Sequence, residues 1–314
     1  MKFKSLIVSI KGIKLTKQEE ILLSKEKPWG IILFKRNLNS ISQIKNLTSK
    51  IRILTKNKKF PILIDEEGES VSRLKNIINH NISANFFGNL YKKDKVFCMK
   101  IFKHYIYSLS KILRDLGINI NTIPVLDVLR NNTNKIIGIR SFSKNKKIVK
   151  ELGSQTIKYL HINKIAATIK HIPGHGASTV DSHKKMPNVL LNLRKLSEID
   201  FYPFHSSKAK FAMTAHILFK KYDDKNVATF SKKIIKNIIQ KKIKFKGILM
   251  SDDISMKALK YDLVNNALKS LEAGCNLVLY CAGNINDNFK LIKCLPYLDK
   301  FTSKKTSEFF KFLR

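Results

Sequence analysis

The sequence predicts a (β/α)8 barrel of the TIM type, with residues 1–314 forming a single domain. Three observations lead to this fold. Short apolar runs typical of strands alternate with longer amphipathic stretches typical of helices. The apolar runs do not alternate cleanly with polar residues, which indicates parallel strands buried on both faces. Most runs end in a polar or charged residue, and in a barrel these ends meet around one mouth.

The main alternative to a barrel is a doubly wound sheet, which also alternates strands with helices. Such a sheet of the Rossmann type needs a Gly-rich phosphate turn after its first strand, and no G-x-G-x-x-G occurs in this chain. The many titratable strand ends therefore favour the barrel.

The elements follow one another along the chain at a spacing that suits this fold. Strands are predicted at Trp29–Phe34, Pro61–Ile64, Ile118–Val128, Lys164–Ile169, Phe211–Thr214, Gly247–Met250 and Asn276–Tyr280. Helices are predicted at Ile41–Leu54, Asp94–Leu116, Lys146–His161, Leu193–Lys208, Lys232–Lys242 and Met256–Ala273. The polar groups at the strand ends include Arg36, Asn37, Asp65, Glu66, Asp127, Lys170, His171, His216, Asp252 and Asp253.

The charge of the chain is unusual, because 60 Lys and Arg residues against 23 Asp and Glu residues give a net charge of +37. The lysines are spread along the whole chain, and no RRM, KH, zinc-finger or helix-turn-helix pattern accompanies them. We therefore interpret the charge as compositional drift or a solvated basic surface, and expect no nucleic-acid partner. Such a field would still attract an anionic small substrate.

Targeting and redox signals are weak. The apolar run Leu6–Ile10 is too short for a signal peptide, and no segment approaches the length of a membrane span. The four cysteines show no C-x-x-C spacing, so neither a zinc knuckle nor a disulfide framework is suggested. We expect a cytoplasmic protein without a membrane partner, acting as a monomer.

The segment Lys170–Pro187 carries the densest chemistry of the chain. It contains His171, His175 and His183 around a Pro-Gly-His-Gly hinge that interrupts regular structure. Asp181 precedes His183 by two residues, a spacing at which a carboxylate can fix the tautomer of an imidazole. This pattern predicts a functional loop.

A second candidate group is the strand end Ser251-Asp252-Asp253. Adjacent strand residues point to opposite faces, so one of the two carboxylates should face the pocket. The other should cap the following helix, which we expect to begin near Ser255. A fixed carboxylate with a movable imidazole suits a retaining displacement at an acetal carbon.

Two other chemistries fit the sequence less well. His171 and His175 have the spacing of a helical zinc pair, but Pro173 and Gly174 between them forbid that helix, and no H-E-x-x-H occurs. A Ser-His-Asp hydrolase would need a G-x-S-x-G elbow, which is absent. We expect no metal and no organic cofactor.

The motifs resemble those of the β-N-acetylglucosaminidases of glycoside hydrolase family 3, particularly the single-domain cytoplasmic enzymes of bacterial peptidoglycan recycling. The resemblance extends over nearly the whole chain. It rests on Gly30-Ile31-Ile32-Leu33-Phe34, Asp65-x-Glu67-Gly68, Pro124-Val125-Leu126-Asp127-Val128, Gly138-x-Arg140-Ser141-Phe142, the Lys170–Pro187 loop, Met213-Thr214-Ala215-His216 and Ser251-Asp252-Asp253-x-Ser255-Met256.

This resemblance implies roles for individual residues. Asp252 would be the nucleophile that forms a glycosyl-enzyme, and His183 would be the general acid/base, held by Asp181. The residues implied to bind the non-reducing GlcNAc are Asp65, Arg73, Arg140, Lys170 and His171. One departure lies close to them: the family usually continues Glu-Gly-Gly-Arg where this chain has Glu67-Gly68-Glu69-Ser70.

The implied activity is the removal of β-linked GlcNAc from the non-reducing end of GlcNAc-anhydro-muramoyl peptides, with retention of configuration. Two alternatives remain open at this point. A histidine acid/base does not repel phosphate, so phosphorolysis is a near alternative. A basic barrel that binds RNA or another polyanion and whose catalytic site is vestigial is an alternative of a different class.

Overall fold

Eight parallel strands close into a barrel with helices around it, which confirms the predicted fold. This computed structural model describes residues 2–178 and 187–314. The strands are β1 (Lys4–Ser9), β2 (Pro28–Leu33), β3 (Ile62–Ile64), β4 (Ile120–Asn121), β5 (Ala166–Ile172), β6 (Asn188–Val189), β7 (Phe211–Thr214), β8 (Leu218–Phe219), β9 (Ile248–Asp253) and β10 (Leu277–Leu279). The barrel order is β1, β2, β3, β4, β5, β7, β9 and β10, and Leu6 pairs with Val278 where the last strand meets the first.

The helices connect these strands. They are α1 (Lys17–Ile21), α2 (Ile41–Leu54), α3 (Ala84–Lys93), α4 (Lys95–Asp115), α5 (Lys146–Ile162), α6 (Leu193–Glu198), α7 (Leu263–Ala273), α8 (Ile285–Cys294) and α9 (Lys300–Phe312), with π-helical segments at Leu22–Glu26 and Ile234–Lys242. Side-chain caps set several starts, since Ser40 accepts from the Gln43 amide at 3.2 Å and Asp94 from the Phe97 amide at 2.9 Å. Among the described residues, none of the helices combines the length and the apolar character that crossing a bilayer requires.

The barrel strands are covered on both faces, as their apolar runs predicted. All six residues of β2 and all seven of β5 are buried. At the amino end of the barrel, Trp29 packs edge to face against Phe211, with ring centroids 5.5 Å apart. Phe309 of α9 packs on Phe211 at 5.3 Å, and the Trp29 indole donates to Thr306 Oγ1 at 2.9 Å. This cluster closes the amino end of the barrel with packed side chains.

Some predicted boundaries are wrong for identifiable reasons. The strand predicted at Ile118–Val128 is reduced to β4, because Pro124 has no amide to continue the ladder. The helix predicted at Leu193–Lys208 ends at Glu198, since Pro203 lies inside it and starts a short 3-10 turn instead. The elements that were not predicted are β1, β6, β8, α1, α3, α8 and α9.

The helix predicted to begin near Ser255 begins at Leu263 instead. The Asp253 carboxylate accepts from the Ser255 amide at 3.1 Å and from its hydroxyl at 2.7 Å, which folds the chain into a turn. Asp262 then caps α7 by accepting from the amides of Val264 and Asn265. Asp253 therefore caps a turn and not the helix.

Candidate active site

A cavity of about 440 Å³ lies at the carboxyl ends of the barrel strands. Asp65 follows β3 directly, Lys170 and His171 lie on β5, and Asp252 lies on β9. We call it the mouth cavity, and six of the eight predicted site residues line it: Asp65, Arg73, Arg140, Lys170, His171 and Asp252. The two remaining residues, Asp181 and His183, lie outside the described residues.

An ion-pair network forms one wall of the mouth cavity, and Glu67 is at its centre. Arg140 holds both carboxylate oxygens of Glu67, at 2.7 and 2.9 Å, in a bidentate pair. Lys170 Nζ lies 2.6 Å from Glu67 and 3.2 Å from Asp65. Arg73 donates to the other oxygen of Asp65 at 3.0 Å. Three cations and two carboxylates are thus held in fixed relative positions.

The pairing keeps both carboxylates ionised. Burial alone would raise the pKa of Asp65, but Lys170 and Arg73 outweigh it and hold that pKa far below its usual value. Burial acts in the same direction on Glu67, yet Arg140 and Lys170 lower the pKa of its carboxyl to about 2. Both side chains can therefore accept, but not donate, hydrogen bonds at neutral pH.

Asp127 orients the two histidines at the start of the loop. Its fully buried carboxylate lies 2.7 Å from His171 Nδ1 and accepts from the His175 amide at 2.6 Å. The contact engages Nδ1, so among the described residues only the Nε2 edge of His171 is left to meet a ligand in the cavity that this residue lines. Burial is the main cause that lowers the pKa of His175 to about 4, so its ring is neutral at pH 7.

Asp252 lines the cavity and its neighbour Asp253 does not, as strand alternation predicted. Burial raises the pKa of Asp252, but His216 and His171 act against it, and the net pKa is lowered. His216 is held by Thr229 at 2.7 Å and donates through Nε2 to the Asp253 carbonyl at 3.0 Å. Asp252 is thus an ionised carboxylate at the end of a barrel strand.

Two glycines let the loop after β5 fold tightly against the barrel. Gly174 has φ +139°, and a Cβ there would lie 3.0 Å from the Asp200 carbonyl oxygen. A Cβ on Gly176 would lie 1.9 Å from the Val128 carbonyl oxygen, so only glycine permits this approach. Past the undescribed residues, β6 pairs with β8, and the Leu218 amide donates to the Pro187 carbonyl at 2.9 Å. The first described end of the loop therefore packs against the barrel, and the second is held in the separate two-stranded sheet of β6 and β8.

A buried network shapes the turn that carries Arg73. The Glu66 carboxylate is fully buried and accepts from the amides of Arg73 and Leu74 at 2.7 and 2.9 Å. It also contacts His80 Nδ1, whose other ring nitrogen contacts the Tyr105 hydroxyl. The altered turn keeps Arg73 on Asp65, and Ser70 lines the cavity in place of the usual arginine.

Sequence reasoning missed several residues that shape the site. Glu67 was only part of a motif, although its two-residue spacing from Asp65 could have placed both carboxylates on one side of an extended backbone. Glu66 and Asp127 were noted only as strand ends, and His175 only as a rejected metal ligand. Nothing local in the sequence indicates that Glu66 binds the Arg73 turn, because the contact depends on how that turn folds back.

The arrangement defines what the cavity can do. The carboxylates on its described wall, Asp65, Glu67 and Asp252, all have lowered pKa values, so none of the three is a proton donor at neutral pH. About half of the lining residues are charged or carry an imidazole, which suits a polar ligand with many hydroxyl groups. Within residues 2–178 and 187–314, no three His, Cys, Asp or Glu side chains are grouped as metal ligands.

An ionised carboxylate and fixed cations lie at the carboxyl end of a closed parallel barrel. This is where barrel enzymes have their active sites, so the chain has the architecture of a barrel enzyme. The sequence profile of the glycosyl hydrolase family 3 N-terminal domain matches residues 2–303, and the chain belongs to this family. It is a glycoside hydrolase of the β-hexosaminidase type.

Known relatives agree with this assignment. A β-hexosaminidase of Neisseria meningitidis serogroup A is 32% identical over 296 residues, which cover 91% of this chain and 81% of that protein. A β-hexosaminidase of Haemophilus influenzae is 31% identical over 304 residues, covering 93% and 85%. The crystal structure of native NagZ from Neisseria gonorrhoeae is similar with a TM-score of 0.90 and 28% identity, covering 100% of this chain and 90% of that one.

Proposed function

We propose that this protein is a retaining exo-β-N-acetylglucosaminidase that removes non-reducing terminal GlcNAc from peptidoglycan-derived muropeptides. Asp252 is the nucleophile, and His183 is the general acid/base, positioned by Asp181. The observation that carries the proposal is the ionised state of the carboxylates that line the mouth cavity. Asp252 is kept ionised, and the carboxylates of Asp65 and Glu67 are ionised too, so the described wall offers no protonated carboxyl group, which supports assigning the proton step to an imidazole.

The mechanism has two displacements. Asp252 attacks the anomeric carbon while the bond to the glycosidic oxygen breaks, and His183 as imidazolium gives its proton to that leaving oxygen. The neutral imidazole then takes a proton from water. The water oxygen attacks the same carbon and releases Asp252 as a carboxylate. The low pKa of Asp252 helps both steps, because it keeps the nucleophile ionised and makes it a good leaving group.

The sugar is held by the mouth cavity. Asp65 and Glu67 supply acceptors for hydroxyl groups, and Arg73, Lys170 and His171 supply donors. Each of these groups is already oriented by a partner, so little side-chain entropy is lost when the sugar binds. The carboxylates of a GlcNAc-anhydro-muramoyl peptide would be attracted by the basic surface, which raises the association rate more than the specificity.

Release of p-nitrophenol from the β-GlcNAc and β-glucose p-nitrophenyl glycosides tests the reaction. The wild type should act selectively on the GlcNAc substrate. Asp252→Ala should abolish release, since the nucleophile is lost, and His183→Ala should weaken it. Asp253→Asn is a matched control, because this neighbouring carboxylate does not line the cavity. Absence of release from both sugars by the wild type would refute the glycosidase proposal.

Retention is tested separately by proton NMR during hydrolysis. The first anomer formed should be β-GlcNAc, and an α anomer formed first would rule out the covalent intermediate. Addition of azide to His183→Ala should give β-glycosyl azide, because a small anion can attack the intermediate without help from a base.

Phosphorolysis is the second candidate, and the same fixed cations favour it. Arg73, Arg140 and Lys170 would attract phosphate as well as a sugar, and a histidine acid/base does not repel it. Product analysis with and without phosphate separates the two. Hydrolysis gives GlcNAc under both conditions, whereas phosphorolysis gives GlcNAc 1-phosphate only with phosphate.

We further propose that residues 1–314 act as one catalytic domain, as a cytoplasmic monomer in cell-wall recycling, without metal or organic cofactor. Light scattering measures the mass in solution, and a dimer mass would contradict the monomer. Activity should be unchanged after treatment with a chelator. Digestion of isolated GlcNAc-anhydro-muramoyl peptides, followed by mass spectrometry, tests the natural substrate.

A further inference from the structure

A second cavity of about 440 Å³ lies at the opposite, amino end of the barrel. Three separate elements form it: the loop before β7, the loop before β9, and α9. We call it the lysine cavity after the side chains that line it, which are Lys208, Lys210, Lys244, Lys246 and Lys305, with Glu308 as the one acid.

The charges of the lysine cavity are not balanced. Lys305 is paired with Glu308 at 2.8 Å. The other four lysines lie more than 4.0 Å from every carboxylate of the chain segments that the structure describes. Like charges gathered in a concave site raise the local potential above that of a convex lysine-rich surface, because the low-dielectric walls focus the field.

The position of Lys210 adds to this imbalance. Its side chain is half-buried, and its Nζ lies 4.5 Å from the centre of the Phe312 ring. Burial is the main cause that lowers the pKa of Lys210, and Glu308 and Lys305 act on it in opposite directions. A bound anion would compensate the cost of desolvation and reduce the repulsion between the lysines.

The floor of the cavity limits the kind of anion. Phe211 and Phe309 are buried against each other and against Trp29, so their ring faces are not available to stack on a base. The polar groups at the rim are lysines and the hydroxyls of Ser206 and Ser207. Lysine ammonium groups and hydroxyls bind phosphate oxygens without reading a base.

We propose that the lysine cavity binds a compact, multiply charged phosphate compound of the small polyphosphate class. The site recognises the phosphate chain alone, so a nucleoside triphosphate and inorganic tripolyphosphate bind equally well. The two cavities lie at opposite ends of the barrel, and this binding does not depend on the proposed glycosidase activity.

Calorimetric titration with inorganic tripolyphosphate at fixed ionic strength tests the proposal. The test variant is Lys208→Ala/Lys244→Ala/Lys246→Ala, whose three side chains are exposed. The matched control is Lys92→Ala/Lys93→Ala/Lys100→Ala, which removes the same charge from an exposed surface of α3 and α4. Circular dichroism and melting temperature establish that both variants are folded.

The wild type should bind one tripolyphosphate per chain. The cavity variant should bind about tenfold more weakly or worse, and the control variant should stay within about twofold of the wild type. Titration with ATP should give the same affinity as tripolyphosphate, and a clear preference for ATP would refute the phosphate-only recognition. Equal losses in both variants, or binding only of long polymers such as poly(U), would show a general response to net charge and overturn the proposal. Absence of saturable binding by the wild type would overturn it as well.

Discussion

The two ends of the barrel hold cavities of equal volume but opposite electrostatic design. At the carboxyl mouth, buried cations and carboxylates are paired within 2.6 to 3.2 Å. At the amino end, four exposed or half-exposed lysines have no carboxylate partner within the described residues, and the one ion pair present is largely solvated.

This difference means that the chemistry of the mouth cavity does not follow from the net charge of the chain. The wall of the mouth cavity contains basic residues too, but Arg73, Arg140 and Lys170 are each paired with an acid, so its chemistry follows from geometry and not from the +37 of the chain. The excess charge lies on surfaces such as the lysine cavity. The net charge of this protein therefore does not indicate its reaction, which depends on how the individual charged side chains are paired.

The largest effect should come from breaking the buried pairs at the mouth. Glu67→Gln leaves Arg140 without its bidentate partner in a buried site, and we expect a loss of about 3 kcal/mol or more in the free energy of unfolding. Glu308→Gln at the amino end should change it by about 1 kcal/mol or less, because that pair is exposed. Urea denaturation followed by the fluorescence of the single tryptophan measures both. Equal losses would remove the distinction between the two ends.

The pH dependence of stability should single out His175 at the mouth. Its folded pKa of about 4 lies below the unfolded value of about 6.5, so the unfolded state binds more protons between these values. The stabilisation is complete above pH 6.5 and falls as the pH decreases. Between pH 7.5 and 5 the loss should be about 2 kcal/mol. His175→Asn should flatten this slope, whereas exposed His104→Asn should leave it unchanged; a steep slope in His175→Asn would assign the effect elsewhere.

Glu66→Gln tests whether the network behind the mouth positions Arg73. The one carbonyl oxygen of a glutamine cannot replace both carboxylate oxygens, which contact the amides of Arg73 and Leu74 and the ring of His80. We therefore expect about 1–3 kcal/mol of destabilisation. We also expect KM for the GlcNAc glycoside to rise while kcat changes little, in the same direction as in Arg73→Lys. Ser72→Ala, which removes one donor to Glu66 and leaves the carboxylate and both backbone amides in place, is the control. A loss of stability with unchanged KM would make the network structural only.

The smallest effect should come from the lysine cavity without a ligand. Lys244→Ala should change the free energy of unfolding by about 0.5 kcal/mol or less, because its side chain is exposed and forms no ion pair with the described residues. Added salt should stabilise the wild type slightly, since it screens the lysines from one another, and should do so less in Lys244→Ala. A large destabilisation would mean that the side chain has a structural role.

The sequence predicted the barrel because strand burial and polar strand ends are local patterns. It also predicted that only one of Asp252 and Asp253 faces the cavity, since strand alternation is local as well. It did not predict the start of α7, because the Asp253 carboxylate competes with the helix through its bonds to Ser255. The pairing of Glu67 with Arg140 connects residues on different elements, and no local pattern contains it. Asp181 and His183 remain predictions from the loop sequence.

The closure of the barrel by β1 and β10 has a consequence for synthesis. Leu6 on β1 pairs with Val278 on β10, and about 270 residues are translated after Leu6 before this partner exists. At about 5–20 residues per second this takes roughly 15–55 s. During that time one edge of β1 is an unpaired apolar template, so the newborn chain is most vulnerable to aggregation before its last strand leaves the ribosome.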